Sequence, residues 1–157
     1  MLRFRQAEAA DVAQLVRLEQ AAPTAAHWTR SQYERALRDD APRRVLLVAE
    51  APNARVIFGF LAASRVAGDW EIENLVVGER WRRNHIAEGL LSGFLGGIPS
   101  AVAGSVMLEV RESNSPARRL YEKIGFIVEG RRKDYYRAPD EDCILYRLSL
   151  QPGDNIP

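Results

Sequence analysis

Residues 70–77 read WEIENLVV and residues 105–111 read SVMLEVR. Both stretches are rich in β-branched residues and alternate apolar with polar side chains, which predicts strands. Because a crossover helix joins strands that run the same way, a helix between them predicts a parallel pair in the sheet. Apolar residues at helical spacing predict that helix, and they are Ile86, Leu90, Leu91, Phe94 and Leu95.

A second helix is predicted after residue 111. Ser115-Pro116 is typical of a helix start, with Ser115 as the N-cap and Pro116 at the first helical position. Gly125 is a C-terminal stop signal. Four apolar residues form one stripe between these points: Ala117, Leu120, Tyr121 and Ile124.

Toward the N-terminus, residues 2–6 alternate like a short strand, and a helical pattern begins at Asp11. Thr29 and Gln32 have the spacing of a capping box, which predicts a helix over residues 30–39, and Pro42 ends that region.

Residues 44–50 and 56–66 are apolar runs joined by the turn signal Pro52-Asn53, which predicts a hairpin. Residues 126–128 and 143–150 are expected as strands joined by the polar segment 131–142. Taken together, these elements predict an α/β (α+β) fold with a mixed sheet. We expect one domain over residues 1–150 and a flexible tail over residues 151–157.

The composition excludes several classes of protein. The 157 residues are 46% apolar, which is enough for a core, and the net charge of +1 argues against bulk nucleic-acid binding. Cys143 is alone, so no disulfide can form within the chain. Neither a signal peptide nor an apolar run of membrane-spanning length is visible, and we expect a cytoplasmic protein.

Four features could carry chemistry, and each has an ordinary structural alternative. The basic loop 80–84 precedes a helix start, which can bind phosphate, although such loops are usually only solvated. Glu109 lies in a strand whose other face is apolar, where a solvent-facing carboxylate is the simpler interpretation. Tyr121 lies on the apolar stripe of its helix, where an aromatic is more often part of the core. Asn114 is most simply a turn or capping residue.

The combined pattern resembles the GNAT superfamily of acetyltransferases, and within it the RimI-like ribosomal-protein-alanine N-acetyltransferases. The run LEVRESNSPARRLYEKIGF over residues 108–126 is the most specific part of the resemblance, which covers nearly the whole chain. The other matching segments are His27-Trp28, residues 73–77, the loop 82–87, residues 132–136 and Glu141-Asp142.

The resemblance implies a GNAT fold, with a mostly antiparallel sheet, about four helices and two splayed strands that form an acetyl-CoA cleft. It implies that Glu109 is the general base and Tyr121 the general acid. It also implies that three aromatic residues flank the acceptor: Trp28, Tyr135 and Tyr136. The residues that it assigns to acetyl-CoA are Leu75, Val76, Val77, Arg82, Arg83, Asn84, His85, Ile86, Ala87, Glu88 and Asn114.

The resemblance further implies an acceptor amine at a protein N-terminus, such as the N-terminal Ala of a small-subunit ribosomal protein. We expect no metal, no direct contact with nucleic acid or membrane, and a monomer or weak homodimer. Two alternatives remain open, namely an acceptor that is a lysine or a small-molecule amine, and a non-catalytic acyl-CoA-binding module.

One residue departs from the family pattern. His85 stands where the family has the first glycine of its phosphate loop. Glycine lets a backbone approach phosphate closely. His85 could therefore crowd the pyrophosphate, donate to it, or simply turn its side chain to solvent.

Overall fold

The computed structural model describes residues 1–23, 25–38 and 44–154. Two single-turn 3-10 helices, Ala9–Asp11 and Glu79–Trp81, accompany the longer elements. In chain order these are β1 Arg3–Gln6, α1 Val12–Gln20, α2 Arg30–Arg38, β2 Arg44–Ala51, β3 Val56–Val66, β4 Asp69–Val77, α3 Ile86–Gly96, β5 Gly104–Arg111, α4 Ser115–Ile124, β6 Ile127–Tyr136 and β7 Glu141–Leu150.

The strands form one mixed sheet in the order β1-β2-β3-β4-β5-β7-β6. Each neighbouring pair is antiparallel except β4 and β5, which are parallel and joined by α3. The fold class and the parallel pair predicted from the sequence are confirmed. The hairpin of β2 and β3 is also present as predicted.

The parallel pair is short. Only residues 70–72 of β4 pair with residues 106–108 of β5, and the last rung joins Ile72 to Leu108. Beyond that rung β4 continues to Val77 and β5 to Arg111 without pairing to each other. The two strands therefore open into a gap, which we call the fork.

A β-bulge in β4 lies at the apex of the fork. Ala62 of β3 pairs with Asn74 and Ala63 pairs with Ile72, so Glu73 is the extra residue. A bulge shifts the alternation of side chains by one. Trp70 and Ile72 belong to the core under α3 and α4, whereas Val76 belongs to the core under α1 and α2.

Two apolar cores cover the two faces of the sheet. The larger contains the predicted apolar face of α3 together with Leu108, Val110 and Tyr121. The smaller contains Val12 and Leu15 of α1 with Tyr33 of α2. All five predicted core residues of α3 are buried.

Local signals account for the helix starts, with one correction. The Thr29 amide donates to Gln32 Oε1 at 2.7 Å and the Gln32 amide to Thr29 Oγ1 at 3.3 Å, so the capping box is confirmed. The predicted end of that helix at Asp39 lies outside the described residues. In α4 the prediction of Ser115 as N-cap is wrong. Asn114 is the N-cap, because its Oδ1 accepts from the Ala117 amide at 3.4 Å.

The C-terminal part also differs from the expectation. The polar segment 131–142 was expected to connect two strands, but β6 runs through it to Tyr136 and forms a long hairpin with β7. Since β6 is an edge strand and nearly all of its residues are exposed or half-buried, it carries no apolar alternation. Residues 151–154 form a turn, and the Gly153 amide donates to the Ser100 carbonyl outside it at 2.9 Å. Residues 155–157 lie outside the described residues.

None of the helices in the described ranges is long and apolar enough to cross a bilayer.

Candidate active site

The fork exposes one edge of β4. Leu75, Val76 and Val77 pair with β3 on one side, whereas the side toward β5 has no strand partner. Backbone N–H and C=O groups on an open strand edge can pair with an extended ligand. The structure therefore brings the three residues assigned to the pantetheine arm to the open side of the sheet.

A basic loop follows β4 and leads into α3. Arg80, Arg82 and Arg83 are exposed, and none of them forms an ion pair within the described part of the chain. The first backbone N–H groups of an α-helix have no partner inside the helix, and the dipole makes that end positive. Ile86, Ala87 and Glu88 form the first turn of α3, so free cations and unpaired donors meet where a pyrophosphate is expected. Asn84 stabilises the loop, because its amide donates to the carbonyls of Trp81 and Arg82 at 3.2 Å each.

His85 is the N-cap residue of α3 and has a left-handed backbone, with φ of 57°. Its side chain is 82% exposed, and Nδ1 lies 3.0 Å from Glu88 Oε2. Lys123 of α4 donates to Glu88 Oε1 at 2.7 Å. Lys123 and His85 together lower the pKa of Glu88, so this carboxylate stays charged. Both of its oxygens already have a partner, Lys123 on Oε1 and His85 on Oε2. The imidazole is thus turned to solvent, and the backbone adopts a conformation that glycine would take without strain.

Glu109 is the first residue of β5 beyond the last rung of the fork. Leu108 and Val110 on either side of it face the larger core, so Glu109 points to the opposite face of the sheet. Arg132 of β6 lies 3.0 Å from Glu109 Oε1. The Tyr135 hydroxyl is also beside Glu109, whose carboxylate raises the pKa of that phenol. Glu109 is therefore half-buried and accompanied by a cation and a phenol.

Tyr121 belongs to the other face. It is 7% exposed and packs among the larger core, with its ring 5.8 Å from Phe126 and 5.9 Å from Tyr146. Burial, with a contribution from Tyr146, raises the pKa of Tyr121. Its hydroxyl makes no hydrogen bond to the residues that the structure describes. The phenol is thus a protonated donor whose hydrogen bond is not already used.

The residues assigned to the acceptor lie in two segments on the face of Glu109. Trp28 packs on Tyr33 with ring centroids 5.3 Å apart, and the Arg44 guanidinium lies 5.3 Å from the centroid of the Trp28 ring.

The second segment is on β6. Tyr135 is 45% exposed, and the Arg132 guanidinium lies 5.3 Å from the centroid of its ring. The Arg111 guanidinium packs over the Tyr136 ring, 4.4 Å from its centroid. Burial is the main cause of the raised pKa of Tyr136. Tyr135 therefore lies beside Glu109, whereas Tyr136 supports the hairpin beneath it. Asn114 is engaged as the α4 cap.

Sequence reasoning missed three charged residues at the fork. Glu71 and Glu73 lie on β4, and burial together with the charges of Glu109 and Glu73 raises the pKa of Glu71. Arg44 lies 3.5 Å from Glu73 Oε1. Two carboxylates within the run WEIENLVV were a visible signal. The bulge that makes Glu73 the extra residue of β4 had no signal in the sequence.

An open strand edge beside a helix start with unpaired N–H donors and exposed arginines is the arrangement expected of an acyl-CoA-dependent transferase, and Glu109 and Tyr121 lie on opposite faces of the sheet. The acetyltransferase (GNAT) family profile matches residues 12–126, and the chain belongs to this family.

Known relatives agree with the assignment. A putative ribosomal protein bS18-alanine N-acetyltransferase of Bacillus subtilis is 26% identical over 123 residues, which are 78% of this chain and 80% of the relative. The crystal structure of the Escherichia coli ribosomal-protein-S18-alanine N-acetyltransferase covers 99% of this chain and 97% of its own, with a TM-score of 0.82 and 24% identity. Arabidopsis thaliana NAA60 in complex with acetyl-CoA covers 96% and 99%, with a TM-score of 0.78 and 20% identity. At these identities the two solved structures show the shared fold.

Proposed function

We propose that this chain is a cytoplasmic enzyme that acetylates the N-terminal α-amine of a protein, with N-terminal Ala of a ribosomal protein as the leading acceptor. Residues 1–150 would form the single acetyltransferase domain. The observation that carries the proposal is the fork itself, with Glu109 on one face and Tyr121 on the other. The names of the bacterial relatives favour the ribosomal acceptor.

The residues present fit acetyl-CoA. The open edge at Leu75, Val76 and Val77 suits an extended pantetheine arm, and the loop 82–88 with the start of α3 suits a pyrophosphate. Bound there, the coenzyme would supply an acetyl thioester that is reactive toward amines.

Glu109 and Tyr121 would divide the proton transfers. Glu109, on the acceptor face, takes a proton from the incoming ammonium once Arg132 yields one carboxylate oxygen. The neutral amine would then form the amide bond as the carbon–sulfur bond of the thioester breaks. Tyr121, on the opposite face, would donate its hydroxyl proton to the departing sulfur, since a phenol is protonated at neutral pH.

The chemistry of amines favours an α-amine over a lysine. An α-amine has an ordinary pKa of about 7.7–8.0, so a useful fraction is neutral at pH 7, whereas a lysine with a pKa of about 10.4 is almost wholly charged. A single half-buried carboxylate can therefore deprotonate an α-amine more readily than it can deprotonate a lysine. Trp28 and Tyr135 would form apolar walls for the first residues of the acceptor.

The test is a panel of acceptors, with free thiol release from acetyl-CoA as the readout. The panel contains a peptide that begins with Ala, the same peptide blocked at its N-terminus but carrying Lys, and a small polyamine. We expect turnover with the first peptide alone. Turnover only with the blocked peptide or with the polyamine would assign a different amine to the same chemistry. Coenzyme binding without turnover on any amine would favour a non-catalytic acyl-CoA-binding module.

A further inference from the structure

The core beneath α1 contains a buried carboxylate that the proposed reaction does not use. Glu19 is 2% exposed and has no cationic partner in the described ranges. The Tyr33 hydroxyl donates to its Oε2 at 2.5 Å, and the Asn74 amide donates to its Oε1 at 2.8 Å. Tyr33 and Asn74 are also buried. The Glu19 carboxyl group is therefore held inside the protein by two neutral partners.

Stability alone does not explain this arrangement. Burying a carboxylate without a cation is costly, and apolar side chains of similar volume often stabilise a core as well or better. Hydrogen bonds are directional, however, so a buried polar group can fix the elements that it joins in one arrangement. Glu19 joins α1 to Tyr33 of α2 and to Asn74 of β4.

The network extends to the loop that carries Trp28. We call residues 25–29 the acceptor loop. Its Ala26 amide donates to Asn74 Oδ1 at 3.4 Å, and Trp28 packs on the ring of Tyr33. A second route runs from Trp28 through Arg44 to Glu73.

Both routes end on the same feature of the sheet. Glu73 is the extra residue of the β4 bulge, and Asn74 follows it directly at the apex of the fork. The acceptor loop is therefore attached to the part of β4 where the thioester and the amine would meet.

We propose that Glu19, Tyr33 and Asn74 are positioning residues that clamp the acceptor loop to the fork and so set the affinity for the acceptor peptide. This inference rests on the proposed function. The three residues act through Trp28 and Ala26, and none of them hydrogen-bonds to the loop 82–88 among the described residues. Loss of the clamp should weaken acceptor binding and leave the coenzyme site intact.

Two variants disturb the network with little change of shape. Tyr33→Phe removes the hydroxyl that donates to Glu19 and accepts from Asn74, and Glu19→Gln removes one acceptor oxygen. We expect each to raise KM for the N-terminal-Ala peptide by about fivefold or more, as the loss of one buried hydrogen bond predicts. The acetyl-CoA dissociation constant from calorimetry and kcat should stay within about twofold of wild type. The double variant Glu19→Gln/Asn74→Asp reverses the hydrogen bond between residues 19 and 74 and loses only the long donation from Asn74 to the Tyr33 hydroxyl at 3.5 Å, so it should restore KM toward the wild-type value.

Ser105→Ala is the matched control. Ser105 is buried and accepts from Arg147 at 2.7 Å while donating to Asp69 at 3.0 Å, but it lies at the start of β5, away from the fork. Its KM should be that of wild type. An unchanged KM in both Tyr33→Phe and Glu19→Gln, or an equal rise in Ser105→Ala, would overturn the inference.

Hydrogen exchange separates this inference from the proposed function. In Tyr33→Phe the amides of residues 25–29 should exchange faster than in wild type, while those of β5 and β7 keep their rates. This readout needs no acceptor. If the wild type acetylated no peptide, the proposed function would fail, and unchanged exchange at residues 25–29 would separately refute the clamp.

Discussion

Glu109 and Arg132 form an ion pair at the mouth of the fork, so the carboxylate is oriented before any acceptor arrives. Glu109→Gln keeps the shape and removes the proton acceptor. We expect kcat to fall by about 10²- to 10⁴-fold, the range usual for general base catalysis, with the acetyl-CoA dissociation constant unchanged. Steady-state kinetics and calorimetry provide the two measurements.

Glu112→Gln is the control for this prediction, because Glu112 is half-buried and pairs with Arg131 on the same hairpin. It should retain kcat. Turnover in Glu109→Gln at the wild-type rate would remove Glu109 from the role of base.

Tyr121 makes a prediction about pH. Burial raises its pKa, so the phenol remains protonated at a pH where an exposed tyrosine has lost its proton. The wild-type kcat should therefore show no alkaline decline centred on the ordinary phenol value of 10.0. Tyr121→Phe should lower kcat across the whole range while preserving the fold, because only a hydroxyl with no hydrogen-bond partner among the described residues is lost. A full rate in Tyr121→Phe would contradict the assignment.

His85 departs from the family pattern, yet its side chain points to solvent and contacts Glu88. We expect His85→Gly to change the acetyl-CoA dissociation constant by less than about tenfold, or about 1.4 kcal/mol. Calorimetric titration of both proteins measures this. A larger difference would show that the imidazole contacts the coenzyme directly.

At the scale of elements, the width of the fork depends on how closely β3 and β4 approach. A Cβ on Gly59 of β3 would lie 2.6 Å from the Val76 carbonyl oxygen and 3.2 Å from Val77 Cα. Since these are backbone atoms, the strands would have to separate. Gly59→Ala should destabilise the protein by about 1–3 kcal/mol and weaken acetyl-CoA binding.

A glycine in α3 provides the comparison. Among the described residues, a Cβ on Gly93 meets only Leu47 Cδ1, at 4.0 Å. Gly93→Ala should therefore stabilise the protein by up to about 1 kcal/mol through helix propensity. Denaturant unfolding measures both variants, and equal effects of the two substitutions would contradict the packing described for β3 and β4.

Elements with strong local signals were predictable from the sequence. The order of β4, α3, β5 and α4 follows from periodicity, and the start of α2 follows from Thr29 and Gln32. The extent of β6 was not predictable, because its side chains are mostly polar and it lies at the edge of the sheet. The cap of α4 was placed one residue late, because Asn114 and Ser115 are both good caps and only tertiary packing decides between them.

The candidate site was predictable to a similar degree. Glu109 and Tyr121 follow from the resemblance of residues 108–126 to the family, and the structure places them on opposite faces of the fork. The cation beside Glu109 could not be foreseen, because Arg132 reaches it only through the β6–β7 hairpin. The attachment of the acceptor loop also depends on the bulge at Glu73. This bulge arises from the pairing of β4 with β3, and no local sequence pattern predicts it.

At the scale of the whole molecule, the residues proposed to bind the coenzyme and those proposed to bind the acceptor lie around one gap in the sheet. The most direct test of this account is a competition within a single peptide that carries both a free N-terminal Ala and an internal Lys. After incubation with acetyl-CoA, tandem mass spectrometry locates the acetyl group. We predict a single acetyl group on the N-terminal nitrogen; acetylation confined to the lysine, or none at all, would contradict the proposed function.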